Sequence, residues 1–197
     1  MKQSYCLELI IITGIDGNFL KKMSDILGEE INNYLDSRNE APFRGLCVNT
    51  LKCNAEEFLK IAPFPINPAH FSANVFYFNC GEMKAGNHPY HRAGLYYIQE
   101  PSAAAPVEAL DVQPGEFVLD LCASPGGKST QIAAKLKGTG LLWSNEYVSS
   151  RIQPLVSNME RLGVRNAVIS NSHPASLCEK LYGCFDRVLV DAPCSGE

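Results

Sequence analysis

Apolar positions along the chain change their period about halfway. In "FLKKMSDILGEEINNYL", Phe19, Leu20, Met23, Ile26, Leu27, Ile31 and Tyr34 recur at helical spacing, and Asn18 stands where an N-cap belongs. "PFRGLCVNTLK" predicts a turn feeding a short strand, and "NAEEFLK" a helix led by Asn54 as its cap. "APFPINPAHFSANVFYFN", rich in proline and aromatics, predicts a loop followed by a strand at "NVFYF". These pieces amount to a small α+β unit up to about residue 90.

Beyond it, short apolar runs alternate with longer amphipathic ones. "EFVLDLCA", "GLLWSNE", "NAVISN" and "FDRVLVDA" predict four buried strands. Between them "GGKSTQIAAKLK", "SSRIQPLVSNMERLG" and "PASLCEKLYG" predict helices, the second closed by Gly163. "PSAAAPVEALDV" predicts a further helix ahead of the first strand, with Pro101 near its first turn. Such alternation is the mark of a parallel, doubly wound sheet. The fold class expected is therefore α/β, a Rossmann-like sheet preceded by a small α+β domain. The expected division is a head at 1–18, a domain at 19–90 and an incomplete sheet domain at 91–197.

Composition narrows the picture only a little. The chain has 197 residues, is 46% hydrophobic and 19% charged, and carries a formal charge of -4. That balance gives no whole-chain footprint for nucleic acid, although a local basic groove would not show in the sum. No apolar run approaches the roughly 18–20 residues needed to span a bilayer. "CLELIII" is short and carries Glu8, so neither a membrane span nor a signal peptide is expected. The eight cysteines form no C-x-x-C pair, which argues against a zinc site and against a disulfide framework. Scattered cysteines without a secretory signal point to a reducing cytoplasm and to no metal.

The chemistry concentrates in "DLCASPGGKST", between the first strand of the sheet and the following helix. Paired glycines let backbone approach a ligand, and the helix N-terminus behind them favours negative charge. A Walker A phosphate loop needs a leading glycine, and Cys122 stands in its place. Pro125 also removes one of the backbone N–H groups on which such a loop depends. The other reading is a nucleoside cofactor. Glu146, about twenty residues on at the end of the second strand, stands where a carboxylate accepts ribose hydroxyls. It fits both NAD and S-adenosylmethionine, and the missing G-x-G-x-x-G weakens NAD. Asp191 and Cys194 follow the fourth strand and should reach the same crevice. A cysteine in a proline-fixed turn there is a candidate for chemistry.

With "DLCASPGGKSTQIAAKL", "ERLG", "DRVLVDAPCSGE" and the upstream "HPYHRAGLYYIQEPSAAAPVEALDVQPGE", the chain resembles the Nop2/Sun (RsmB/RsmF-like) RNA 5-methylcytosine methyltransferases. "GLCVNTLK" is similar to their N-terminal RNA-binding segment, and the bacterial RsmF-like ribosomal RNA branch is the nearest match. The resemblance runs from about Phe19 to Glu197 and leaves the head unexplained. It implies S-adenosylmethionine as cofactor and C5 of an RNA cytosine as acceptor, in 16S rRNA or, as a further option, tRNA. It implies that Cys122, Ala123, Ser124, Pro125, Gly126, Gly127 and Lys128 cradle the cofactor, with Glu146 on the ribose and Asn171 near the adenine. Arg151 would contact the methionine carboxylate or face solvent. Asp191 would orient the cytosine. Cys194, in the "PC" motif, would assist product release or act as the nucleophile. Arg44, Asn49 and Lys52 would contact RNA.

Two departures stand out. Cys47 occupies a position where relatives carry arginine, and Pro154 falls in the expected second helix. His88, His91, Tyr96 and Tyr97 either position RNA or pack as a linker. The family's sheet carries more strands than the four predicted here, and its "TC" cysteine lies on a later one. The expectation is therefore a C-terminally truncated chain that binds cofactor without turnover. The competing functions are an RNA-binding or partner-binding remnant and a phosphate-loop nucleotide binder. Oligomeric state is not legible.

Overall fold

A computed structural model describes residues 15–38, 44–78 and 84–193. The chain divides into two compact units, one ending at Pro42 and one starting at Phe43. In the first, α1 (Gly17–Leu27) and α2 (Ile31–Ser37) are separated by a 3-10 turn at Gly28–Glu30. The continuous helix suggested by the spacing breaks because Gly28 takes a φ of +57°, a left-handed conformation open to a residue without Cβ. The N-cap is Asp16 rather than Asn18. Its carboxylate accepts the N–H groups of Asn18 and Phe19 at 2.9 and 3.1 Å, satisfying donors that the helix cannot.

Among its described residues the second unit holds two four-stranded sheets. The first has the order β2-β3-β1-β4 and is antiparallel throughout. Its strands are β1 (Arg44–Val48), β2 (Asn67–Ala69), β3 (Ser72–Phe78) and β4 (Tyr96–Gln99). The predicted helix is α3 (Ala55–Ile61), with a reciprocal capping box between Asn54 and Glu57. Two strands go beyond the sequence pattern. β2 lies in the proline-rich stretch expected as loop, where Pro68 is tolerated because the strand is an edge. β4 follows the short helix α4 (Pro89–Arg92). Leu46, Val48, Phe58, Phe76, Phe78 and Tyr96 form the core of this half.

Helix α5 (Pro101–Leu110) leads to the second sheet. There the predicted alternation holds: β5 (Phe117–Asp120), α6 (Gly127–Leu136), β6 (Leu141–Asn145), α7 (Ile152–Leu162), β7 (Ala167–Ser170), α8 (Pro174–Lys180) and β8 (Arg187–Leu189). The order is β7-β6-β5-β8, parallel throughout. Val118, Ile132, Leu136, Leu142 and Leu155 are fully buried between strands and helices. Each contributes roughly 1.5–3 kcal/mol by leaving water. Pro154 sits in the first turn of α7, where its missing N–H would have had no partner. Strand order reverses between β5 and β8, and a crevice opens beyond their carboxyl ends. Among the described residues no helix is long and apolar enough to cross a membrane.

Candidate functional site

A cleft of about 250 Å³ opens at that switch point. The loop after β5 supplies Cys122, Ala123, Ser124, Pro125, Gly127 and Lys128 as one wall, and Asp191 comes from beyond β8. Tyr97 and Gln99 of β4 supply the opposite wall. Gly126 is buried at the start of α6 with a φ of +111°, and no side chain caps that helix. A Cβ on Gly127 would stand 2.8 Å from Gln99 Oε1 and 2.9 Å from Tyr97 Cε1. Glycine at 127 is what lets the first sheet close against the loop.

Beneath the loop lies a buried polar chain. Ser144 Oγ donates to Ser129 Oγ at 3.1 Å, and Ser129 Oγ donates to Asp120 Oδ2 at 2.6 Å. Asp120 is 1% exposed, and its Oδ1 has no partner. Burial pushes its carboxyl up to about 6, against the pull of Ser129 and Lys128. Above it, Lys128 Nζ meets Asp191 Oδ2 at 2.7 Å, with the Asp191 side chain 56% exposed. An ammonium thus holds a solvent-facing carboxylate in place. The Cys122 thiol is pushed up by burial and by the carboxylates of Asp120, Glu146 and Asp191, so it stays protonated. Cys194 lies outside the described residues.

Glu146 is 3% exposed at the end of β6. One of its oxygens accepts the Val148 N–H at 2.8 Å, and the other lies 3.7 Å from Arg151 Nη1. The Arg151 side chain is 43% exposed, and it also makes contacts that the sequence did not suggest. Its guanidinium donates to the Ser124 carbonyl at 2.8 Å, while Ser124 Oγ donates to the Arg151 carbonyl at 2.7 Å. Arg151 therefore braces the loop. Asn171 donates both amide protons to the Glu146 and Tyr147 carbonyls, at 2.6 and 2.9 Å, and accepts the Ser149 hydroxyl. It lies beside Glu146, with its amide engaged in holding that segment.

Of the three residues expected at RNA, Arg44 is exposed at the start of β1. Asn49 is corrected by the structure: it is 3% exposed, and its amide donates to the carbonyls of Gly94 and Leu162, both at 2.8 Å. No donor is left for a phosphate or base. Lys52 reaches the carbonyls of Ala93 and Arg161, both at 2.7 Å, and ties the turn after β1 to the end of α7. Cys47 is buried, its thiol pushed up to about 12, so this position presents no RNA-facing side chain. In the aromatic cluster, Tyr96 is fully buried with its hydroxyl on the Ala85 carbonyl. His88 caps α4, and the His91 ring lies 5.5 Å from that of Tyr96. Only Tyr97 of the four lines the cleft.

Gln99 and Asp120 were not singled out from the sequence. The signal for each was a polar side chain ending an apolar strand, in "YYIQ" and "FVLD". Among the described residues no group of three or more His, Cys, Asp or Glu side chains could hold a metal. The donor set instead suits a nucleoside: a glycine loop that admits close approach, an uncapped helix start, and the buried carboxylate of Glu146 on the neighbouring strand.

Residues 107–197 match the family described as 16S rRNA methyltransferase RsmB/F, and residues 15–101 match the N-terminal domain of 16S rRNA methyltransferase RsmF. The chain is 40% identical over 188 residues to ribosomal RNA small subunit methyltransferase F of Vibrio parahaemolyticus serotype O3:K6 (strain RIMD 2210633). That match covers 91% of this chain and 39% of the relative. The chain thus spans about two fifths of the length of the curated relatives it matches. A methyltransferase homologue protein from Pyrococcus horikoshii aligns with a TM-score of 0.83 at 28% identity, over 98% of this chain and 64% of that one. NSun6 from the same organism, with SFG, aligns with a TM-score of 0.76 over 89% of this chain and 70% of that one. At 18% identity that is a likeness of fold.

Proposed function

The chain belongs to the RsmB/F family of ribosomal RNA methyltransferases, and from that premise we propose that it serves transfer of a methyl group from S-adenosylmethionine to C5 of a cytosine in 16S rRNA. The observation that carries the reading is the convergence of the glycine loop and the Lys128–Asp191 pair in one cleft, 2.7 Å separating the two charges. The cofactor fits the first, and the pair fits the demands of an electron-poor base. Bound there, S-adenosylmethionine supplies an electrophilic methyl group.

Glu146 accepts the ribose hydroxyls, and the backbone of Ala123–Gly127 receives the rest of the nucleoside amino acid. Cytosine C5 is a weak nucleophile, and the family answers with a thiolate that adds to C6 and leaves when the C5 proton is lost. Cys194, three residues past Asp191, brings a thiol to that chemistry, in attack or in release. Asp191 accepts from the cytosine amino group, and Lys128 holds that carboxylate in place. Arg44 remains the basic contact for the RNA backbone. Because the chain spans about two fifths of its curated relatives, turnover, target RNA and partners are part of the proposal.

Calorimetric titration of the 197-residue chain with S-adenosylmethionine, with Mg-ATP alongside, tests it. Saturable binding of the first and none of the second is expected. Binding of ATP alone by a folded chain would sink the reading. Labelled methyl incorporated at cytosine C5 of 16S rRNA, and lost in Cys194→Ala, would make that cysteine essential to turnover.

A further inference from the structure

The segment "NMERLG" at the end of α7 has no task in the proposed chemistry, although Asn158 reaches the cofactor loop and Arg161 holds Asn158. Arg161 Nη2 donates to Asn158 Oδ1 at 3.0 Å, and Asn158 Nδ2 donates to the Pro125 carbonyl at 2.8 Å. The same guanidinium lies 5.8 Å from the centre of the Tyr97 ring. That ring packs on Gly127, where a Cβ would meet Tyr97 Cε1 at 2.9 Å. Nη1 is fixed in turn by the carbonyls of His91 and Tyr96. Arg161 therefore bears on the loop indirectly by two routes: through the Asn158 amide onto Pro125, and through the Tyr97 ring onto Gly127.

We infer that Arg161 is a positioning residue for the cofactor loop, holding Pro125 through Asn158 and Gly127 through Tyr97. The inference rests on the function proposed above. A guanidinium suits the task because its donors leave in fixed directions in one plane while its face stays free to stack. A lysine ammonium supplies the charge but not both contacts at once. With Oδ1 of Asn158 held by Arg161, the amide can only turn its N–H toward Pro125. Without that bond the amide can rotate, and the loop carbonyl loses its donor.

Arg161 is distinct from its neighbour Lys52. Lys52 also clamps the end of α7, but only through backbone carbonyls remote from the loop. That difference provides the control. Affinity for S-adenosylmethionine and amide hydrogen exchange of residues 124–130 without ligand are measured in wild type, Arg161→Lys, Asn158→Ala, the double variant and Lys52→Met. Arg161→Lys and Asn158→Ala should each raise Kd about tenfold, as the loss of one structural hydrogen bond would, and the double variant little more than either. Both should speed exchange in the loop, while Lys52→Met lowers the urea midpoint and leaves Kd and loop exchange within about twofold of wild type. Equal losses in Lys52→Met would reduce Arg161 to a general clamp and overturn the inference. So would unchanged loop exchange in a folded Arg161→Lys, or additive single effects. Failure of wild type to bind cofactor would count against the proposed function alone, and the exchange comparison would still decide the role of Arg161.

Discussion

Replacing Asn49 with alanine separates a residue that binds RNA from one that binds the protein to itself. In the structure its amide bridges the carbonyls of Gly94, before β4, and Leu162, at the end of α7. Its own oxygen accepts the Leu51 N–H at 3.2 Å. Gly94 and Leu162 are buried, so water cannot take over freely when the amide is removed. A buried acceptor left without a donor costs about 1–3 kcal/mol, and two such carbonyls give about 2–6 kcal/mol for Asn49→Ala. With a urea dependence of ~2 kcal/mol per M, the midpoint should fall by about 1–3 M. The one tryptophan, Trp143, is tied by its Nε1 to Ser170 on the next strand and reports unfolding by fluorescence. A midpoint unchanged within about 0.2 M would refute the reasoning. If RNA affinity fell while the midpoint held, Asn49 would return to the RNA surface.

Asp120 carries a signed pH dependence. Its carboxyl, ordinarily near 3.8, sits at about 6 when folded, so the folded chain binds the extra proton between those values. Stability contributed by this group is greatest below about pH 4 and declines up to about pH 6, by about 3 kcal/mol in order of magnitude. In urea unfolding across pH 4–7, the difference between wild type and Asp120→Asn should follow that decline, and a flat difference would show that the carboxylate is not desolvated. Gly127→Ala must push a methyl group against Gln99 and Tyr97, so Kd for S-adenosylmethionine should rise more than about tenfold with the urea slope unchanged. Binding within twofold of wild type would mean that β4 does not wall the cofactor side of the cleft.

The parallel sheet was legible because each of its strands is a short apolar run, separated from the next by a longer segment of mixed polarity. The glycine loop and Glu146 follow from the same regularity, since a doubly wound sheet brings the ends of β5 and β6 to one edge. What escaped the pattern depends on contacts between distant segments. β2 hides in a proline-rich stretch because an edge strand tolerates Pro68, and β4 is too short to declare itself. Asn49 and Lys52 look like surface donors in sequence, and only folding shows that their partners are carbonyls 41 to 113 residues away. The break at Gly28 and the cap at Asp16 were missed for a smaller reason. Apolar spacing carries through a single 3-10 turn without a visible fault, and an aspartate two residues before Asn18 is an equally good cap.

The same contacts decide between the two readings that the loop sequence left open. A phosphate loop needs the lysine ammonium at the terminal phosphates and the following hydroxyl on a magnesium ion. Here Lys128 is 2.7 Å from Asp191, and a nucleotide would have to compete with that carboxylate for it. Ser129 is fully buried beneath the loop, donating to Asp120 and accepting from Ser144, so its hydroxyl does not face the cleft. Asp191, the residue that could pose as the magnesium-orienting acid, has instead drawn the lysine to itself. The "GKS" letters are those of a phosphate loop, but their functional atoms point elsewhere. Two groups that would have served a triphosphate serve a carboxylate at the mouth of the cleft and a carboxyl under its floor. That arrangement leaves the glycines and Glu146 open to the proposed cofactor, which carries no phosphates, and leaves Asp191 with an exposed face.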